Sequence, residues 1–243
     1  MGYGVRSMRR CVILIGGFCA AFCVLWSLGT QMTASYFSAE PVLVLVQNNE
    51  LLSQERLQFP FKIPGTTLIA EQIVSYDGLF LEGDDDHDVV NVAALLLYNC
   101  GDQGITAAQI ELQAGQVQFE FAADTIPAGA RILLPEKNAK EFGPKVFTAC
   151  KGIQQTDKSD WQQENLLKLA YPDMGTVTVT NLSDRELTGI YLHYKAYYPE
   201  ADFFVGGKTH MYYIESLKPG EYIQIYPNNY ALGYSKFARI AIG

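Results

Sequence analysis

The chain has 243 residues, 49% of them apolar, with 15 Tyr, 13 Phe and a formal net charge of −8. Such a composition is globular rather than disordered, and its acidity argues against nucleic acid as a partner, because phosphate would be repelled. Three of the basic residues, Arg6, Arg9 and Arg10, precede the first apolar run, so everything after that run is more acidic still.

No charged residue lies between Arg10 and Glu40, and Cys11–Gly29 is almost wholly apolar. About 20 apolar residues cross a bilayer core as one helix, which satisfies its own backbone polar groups. Residues 11–29 are therefore expected to form a transmembrane helix, with 1–29 as cytoplasmic tip and anchor. The arginines sit before the run and no basic residue follows closely, which places the N-terminus in the cytoplasm and the rest outside. The rival reading is a cleaved signal peptide, whose nearest cleavage point is Ser38-Ala39. Phe18 and Phe22 stand before Cys19 and Cys23, where a lipidation site needs a small residue. Gly16, Ala20, Gly17 and Ala21 give small-x-x-x-small spacing, the pattern expected for self-association of such helices.

Residues 30–66 read as a stalk, with a buried strand at Pro41–Val46 and a short helix near Asn49–Leu57. From Thr67 the pattern is strand-like. An internal repeat follows: Asn99–Thr106 aligns with Asn181–Thr188, and each block lies between segments of period two, the mark of a strand with one buried face. Ile126-Pro-Ala-Gly129 likewise aligns with Leu217-Lys-Pro-Gly220. The offset grows between the two blocks, so the second copy carries an insertion in its middle hairpin. Short strands with frequent turn signals argue for β-sandwiches. The expected architecture is mainly β, with one module over 67–155, a second over 175–243, and a linker over 156–174. Within the linker, Ser159–Gln162 resembles a capping box, which predicts a helix to about Ala170 with Trp161, Leu166 and Leu169 on its apolar face.

The Asn-x-Gly/Ser-Asp turns at Asn99 and Asn181, and the Pro-containing turns ending at Gly129 and Gly220 before Ile-rich strands, resemble the immunoglobulin-like, FxLYD-type extracytoplasmic modules of Gram-positive bacteria. Tyr76-Asp-Gly-x-Phe80, followed by an acidic turn, is similar to membrane-anchored proteins of Firmicutes. The resemblance covers residues 73–153 well and 175–243 partly. It implies two tandem immunoglobulin-like sandwiches on a membrane anchor, and it carries over no catalytic residue.

Cys100 and Cys150, the two cysteines beyond the anchor, are candidates for a disulfide outside the cytoplasm, with two buried thiols as the alternative. Cys150 with His87 is the one nucleophile pair to consider, and no Arg follows Cys150 until Arg185. Asp84, Asp85, Asp86 and Asp88 are a weak oxygen-ligand set for Ca²⁺, although their spacing is not that of an EF-hand. Gly207-Lys-Thr209 ends like a phosphate-binding loop, but Asp202 stands where the first glycine belongs. Eleven tyrosines lie between Tyr171 and Tyr234. Among them Tyr197, Tyr198, Tyr212 and Tyr213, with Phe203 and Phe204, are expected to form a binding face on the enlarged hairpin. No pattern calls for a cofactor. The expected role is a non-enzymatic interaction or scaffold protein of the cell envelope with a protein partner. The alternatives are a cell-wall glycan module and a cysteine-dependent enzyme.

Overall fold

The computed structural model describes residues 44–46, 51–53, 56–82, 87–156, 163–173 and 175–243. The expected anchor falls outside them, and among the described residues no helix is long and apolar enough to cross a membrane. The strands are β1 (Val44–Val46), β2 (Leu51–Ser53), β3 (Phe61–Lys62), β4 (Leu68–Leu79), β5 (Asp88–Asn99), β6 (Ile105–Ala114), β7 (Val117–Ala123), β8 (Arg131–Pro135) and β9 (Ala149–Thr156). A 3-10 turn at Gln163–Leu166 leads to β10 (Leu167–Ala170), β11 (Val177–Asn181), β12 (Leu187–Tyr198), β13 (Phe203–Leu217), β14 (Tyr222–Ile225) and β15 (Ser235–Ile242).

These strands alternate as their sequences require. In β6, Ala108, Ile110 and Leu112 are buried, and in β11 Val177 and Val179 are. They assemble into three sheets, ordered β1-β2-β9-β6-β7, β10-β11-β14 and β15-β12-β13-β8-β5-β4-β3. One topology occurs twice: β4-β5-β8 faces β9-β6-β7, and β10-β11-β14 faces β15-β12-β13.

A buried asparagine pins the same corner in each copy. Asn99 and Asn181 both have 0% exposure. The Asn99 side-chain amide donates to the carbonyls of Gln103 (2.9 Å) and Pro127 (3.1 Å). The Asn181 amide donates to those of Arg185 (2.8 Å) and Leu217 (2.9 Å). Their backbones repeat the match: each Asn carbonyl accepts from the turn glycine, Gly129 or Gly220, at 3.0 Å. Each asparagine thus ties the turn after its strand to the distant Pro-Gly turn, which explains why those two blocks recur in the sequence.

Along β12, Ile190, Leu192 and Tyr194 enter the second core, whereas Lys195 reaches Asp124 and Tyr197 packs on the first core. Successive strand residues point to opposite faces, so the two smaller sheets cover opposite faces of the seven-stranded one. The copies join edge to edge through a parallel pairing of Phe203–Val205 with Arg131–Leu133.

Several expectations are corrected. Leu167–Ala170, placed at the end of a linking helix, is strand β10 paired with β11, because an open sheet edge and the buried Leu167 stabilise an extended chain there. The proposed capping residues Ser159–Gln162 lie outside the described residues. The stalk is shorter than expected: Leu52, Leu57 and Ile63 are buried in the first core, and Leu51–Ser53, read as helix, pairs with β9 instead.

Each asparagine amide bridges two backbone segments that are distant in the chain. Asn99→Ala and Asn181→Ala should each cost about 1–3 kcal/mol by removing the buried amide that donates to both turns. Leu182→Cys, which introduces the first-copy residue at an exposed position, should change the melting temperature little. Thermal denaturation of the three variants checks this.

Candidate functional site

The seam between the copies gathers the most unusual chemistry. Lys195 lies in the otherwise aromatic and apolar end of β12, and its side chain has 0% exposure. Opposite it, β13 bulges: Tyr194 pairs with His210 but Ala196 pairs with Val205, so residues 206–209 loop away from the ladder. The Lys195 ammonium fills that loop. It donates to the carbonyls of Gly206 (3.3 Å), Lys208 (3.1 Å) and Gly207, and to Asp124 Oδ1 at 3.1 Å. Asp124 closes β7 of the first copy, and its own carboxylate is 52% exposed. The Thr209 hydroxyl donates to the same carboxylate.

A second carboxylate of the first copy, Glu82, accepts from the Gly207 N–H at 2.6 Å. The Asp124 N–H donates to the Gly207 carbonyl at 3.1 Å. Glycine is required at both bulge positions by contact. A Cβ on Gly207 would stand 2.0 Å from the Ala122 carbonyl oxygen, and one on Gly206, whose φ is +83°, would stand 2.8 Å from Leu81. This close backbone approach, not a phosphate site, accounts for the Gly-Gly-Lys-Thr run.

Burial pushes the Lys195 ammonium down from its ordinary 10.5 to about 8, against the pull of Asp124 and Glu82. Burial likewise raises Glu82, opposed by its bond from Gly207 and by Lys195. On the other face of the same seam, Tyr76, Ala94, Leu133, Tyr198 and Val205 form a third apolar cluster, drawn from both copies.

Beside the seam is a cleft of about 240 Å³, between the turn Pro127–Arg131 and residues Tyr197, Asp202 and Lys236. Its charges are mutually satisfied. Lys236 Nζ lies 4.5 Å from the Tyr197 ring centroid and 3.8 Å from Asp202. The Tyr197 hydroxyl donates to Asp202, which pushes the phenol up to about 12. Arg131 pairs with Glu71 at 2.9 Å. A cleft this small admits a side chain rather than an extended ligand.

The six expected face residues do not form one exposed face. Tyr198 and Phe204 are buried on opposite sides of the seam sheet, Phe203 and Tyr197 pack beside them, and Tyr212 lies against the second core. Tyr213 alone is exposed, and its ring meets that of Tyr191 at 5.0 Å. With the exposed Met211 one strand position away on the same face, they form an apolar patch on the outer side of β12 and β13.

Cys100 and Cys150, the candidate disulfide pair, stand as free thiols, Cys100 exposed and Cys150 buried. Cys100 Sγ lies 3.0 Å from the Thr67 carbonyl, and Thr67 is bonded to Gln154. Cys150 stands four positions before Gln154 in β9, on the order of 13 Å at strand rise, which is beyond disulfide reach. Burial pushes the Cys150 thiol up to about 12, so it is a poor nucleophile at neutral pH. His87 lies just before β5, a strand of the other sheet, with its ring tilted against Phe80. Asp84, Asp85 and Asp86 fall outside the described residues, and Asp88 opens β5 opposite Leu79. Among the described residues no group of three His, Cys, Asp or Glu is arranged to hold a metal ion.

The residues missed in the sequence are Lys195, Glu82 and Asp124. A lone lysine in a Tyr-rich strand and a Gly-Gly pair within a strand were the available signals. No protein family, curated protein or solved structure matches the chain.

Lys195→Met leaves carbonyls of the bulge without their donor and should destabilise the protein by about 3 kcal/mol. The unfolded chain keeps the Lys195 proton up to 10.5 while the folded chain releases it at about 8. Between those values the unfolded state binds more protons, so this group's contribution to stability rises with pH. Melting curves across that window should show a rise in the parent that Lys195→Met lacks. In native protein, a thiol-reactive probe should label Cys100 and should reach Cys150 only after unfolding.

Proposed function

We propose that the chain is a non-enzymatic, membrane-anchored extracytoplasmic interaction or scaffold protein of the bacterial cell envelope, built from two immunoglobulin-like, FxLYD-type modules. The apolar run at residues 11–29, with arginines on one side, supports the anchor and its orientation. The doubled three-against-three strand arrangement supports the immunoglobulin-like reading, since paired antiparallel sheets of this kind are the common plan of such modules.

The observation that carries an interaction role is the Tyr191–Met211–Tyr213 patch. Tyrosines on a flat sheet face supply large contact area at low entropic cost, and both Tyr and Met are enriched in protein interfaces. The patch lies in the module farther along the chain from the anchor. The far end of the same hairpin, by contrast, spends Phe203, Phe204 and Tyr198 on the seam, so those three rings do not count toward a ligand face.

Two experiments test the reading. In intact cells, added protease should degrade the C-terminal modules and spare a tag placed before Arg6; a protected C-terminus would reverse the orientation. In mild detergent the full chain should co-purify with an envelope protein, and the exposed double variant Tyr191→Ser, Tyr213→Ser should lose at least about 2 kcal/mol of that affinity without a change in melting temperature. Equal recovery with both proteins would remove the patch from the interface.

A further inference from the structure

The duplication shows which sheet edges of this module are used. In the first copy, the outer edge of β8 is covered by β13 and that of β9 by β2. Their counterparts in the second copy are β14 and β15, and among the described residues neither has a strand beyond it. The two open edges differ in chemistry. β15 carries Lys236 and Arg239, the charged residues that keep an edge from pairing. β14 carries no charge at all.

The exposed edge of β14 is apolar. Tyr222 is 68% exposed, Ile223 39% and the following Tyr226 68%. The direction of its free hydrogen bonds follows from the ladder. The Asn181 N–H donates to the Glu221 carbonyl at 3.0 Å, and Val179 and Val177 stand opposite Ile223 and Ile225. By antiparallel alternation, Ile223 and Ile225 turn their backbone groups to β11, while Tyr222, Gln224 and Tyr226 turn theirs outward.

Residues 222–226 read Tyr-Ile-Gln-Ile-Tyr, the same in both directions. A strand of that kind is complementary to itself. Antiparallel pairing of two copies about Gln224 sets Gln224 opposite Gln224, in hydrogen-bonding register, and Tyr222 opposite Tyr226 on the outer face. It also sets Ile223 opposite Ile225 on the core face. Every residue then meets one of its own kind, and aromatic cross-strand pairs are among the favourable ones. We infer that two copies of this chain associate through their β14 edges, joining two three-stranded sheets into one six-stranded sheet with its two-fold axis at Gln224. The inference needs only this edge and is independent of the envelope location.

The test uses the full chain in mild detergent. Gln224→Cys puts two Cα atoms about 5.5 Å apart across the axis, within disulfide reach. Oxidation should therefore give a crosslinked dimer in excess of the parent chain, whose own cysteines supply the background. Tyr222→Lys with Tyr226→Lys, added to Gln224→Cys, sets like charges opposite each other and should lower the crosslinked fraction about tenfold. Tyr222→Lys with Tyr226→Glu sets Lys opposite Glu in this register and should restore it. Both tyrosines are exposed, so an unchanged melting temperature confirms the fold of each variant. Crosslinking equal to the parent overturns the inference and leaves the edge to an extended segment of another protein. Crosslinking indifferent to the charge patterns overturns it as well, because association would then run through another surface, such as the apolar run at 11–29.

Discussion

An ammonium group with 0% exposure must find in the protein what it loses in water. Lys195 finds it in three carbonyls of a bulge that exists only because β13 departs from the β12 ladder, and in a carboxylate supplied by the other copy. Burying a charge costs several kcal/mol unless its hydrogen bonds are met, so the seam cannot be loosened at one place alone. If residues 206–209 relax, Lys195 loses its acceptors; if Asp124 withdraws, the ammonium loses its countercharge. The glycines and the Glu82 bond to Gly207 hold that loop where the lysine needs it, and the apolar cluster packs the opposite face of the seam.

The seam also explains how a duplicated module became asymmetric. In the first copy β6 and β7 are joined by a tight turn, whereas in the second β12 and β13 run further and end in Phe203–Val205 alongside β8. The added residues thus cover one edge of the first sandwich while leaving the corresponding edge of the second open. An insertion that looks like a place for a ligand is used for assembly, and the surfaces left open for other molecules include, among the described residues, the outer face at Tyr191 and Tyr213 and the uncharged edge at β14.

Much of the architecture is legible in the residues before any coordinates. Alternation in Ala108–Leu112 or Val177–Val179 gives strands directly, because a half-buried sheet needs an apolar residue at every second position. The two Asn-containing blocks and the two Pro-Gly turns announce the duplication, and in the structure each pair is tied together by a buried asparagine. Leu167–Ala170 misleads for a physical reason. A short apolar segment fits either helix or strand, and only the free edge of β11 decides between them. The stalk misleads in the same way, since Leu57 and Ile63 carry no sign of which core will receive them.

What the amino-acid order determined by itself is local and periodic: strand positions, turns, the repeat, and an uninterrupted apolar run behind three arginines. Those depend on backbone geometry and on transfer from water, which each segment feels alone. What only the tertiary structure decided is which edges meet. That choice buried Lys195, turned the Gly-Gly pair into a point of backbone contact, kept Cys100 and Cys150 apart, and divided one cluster of aromatic residues between a seam and a surface. Each outcome depends on groups distant in the chain but adjacent in space, and no period or spacing records that adjacency.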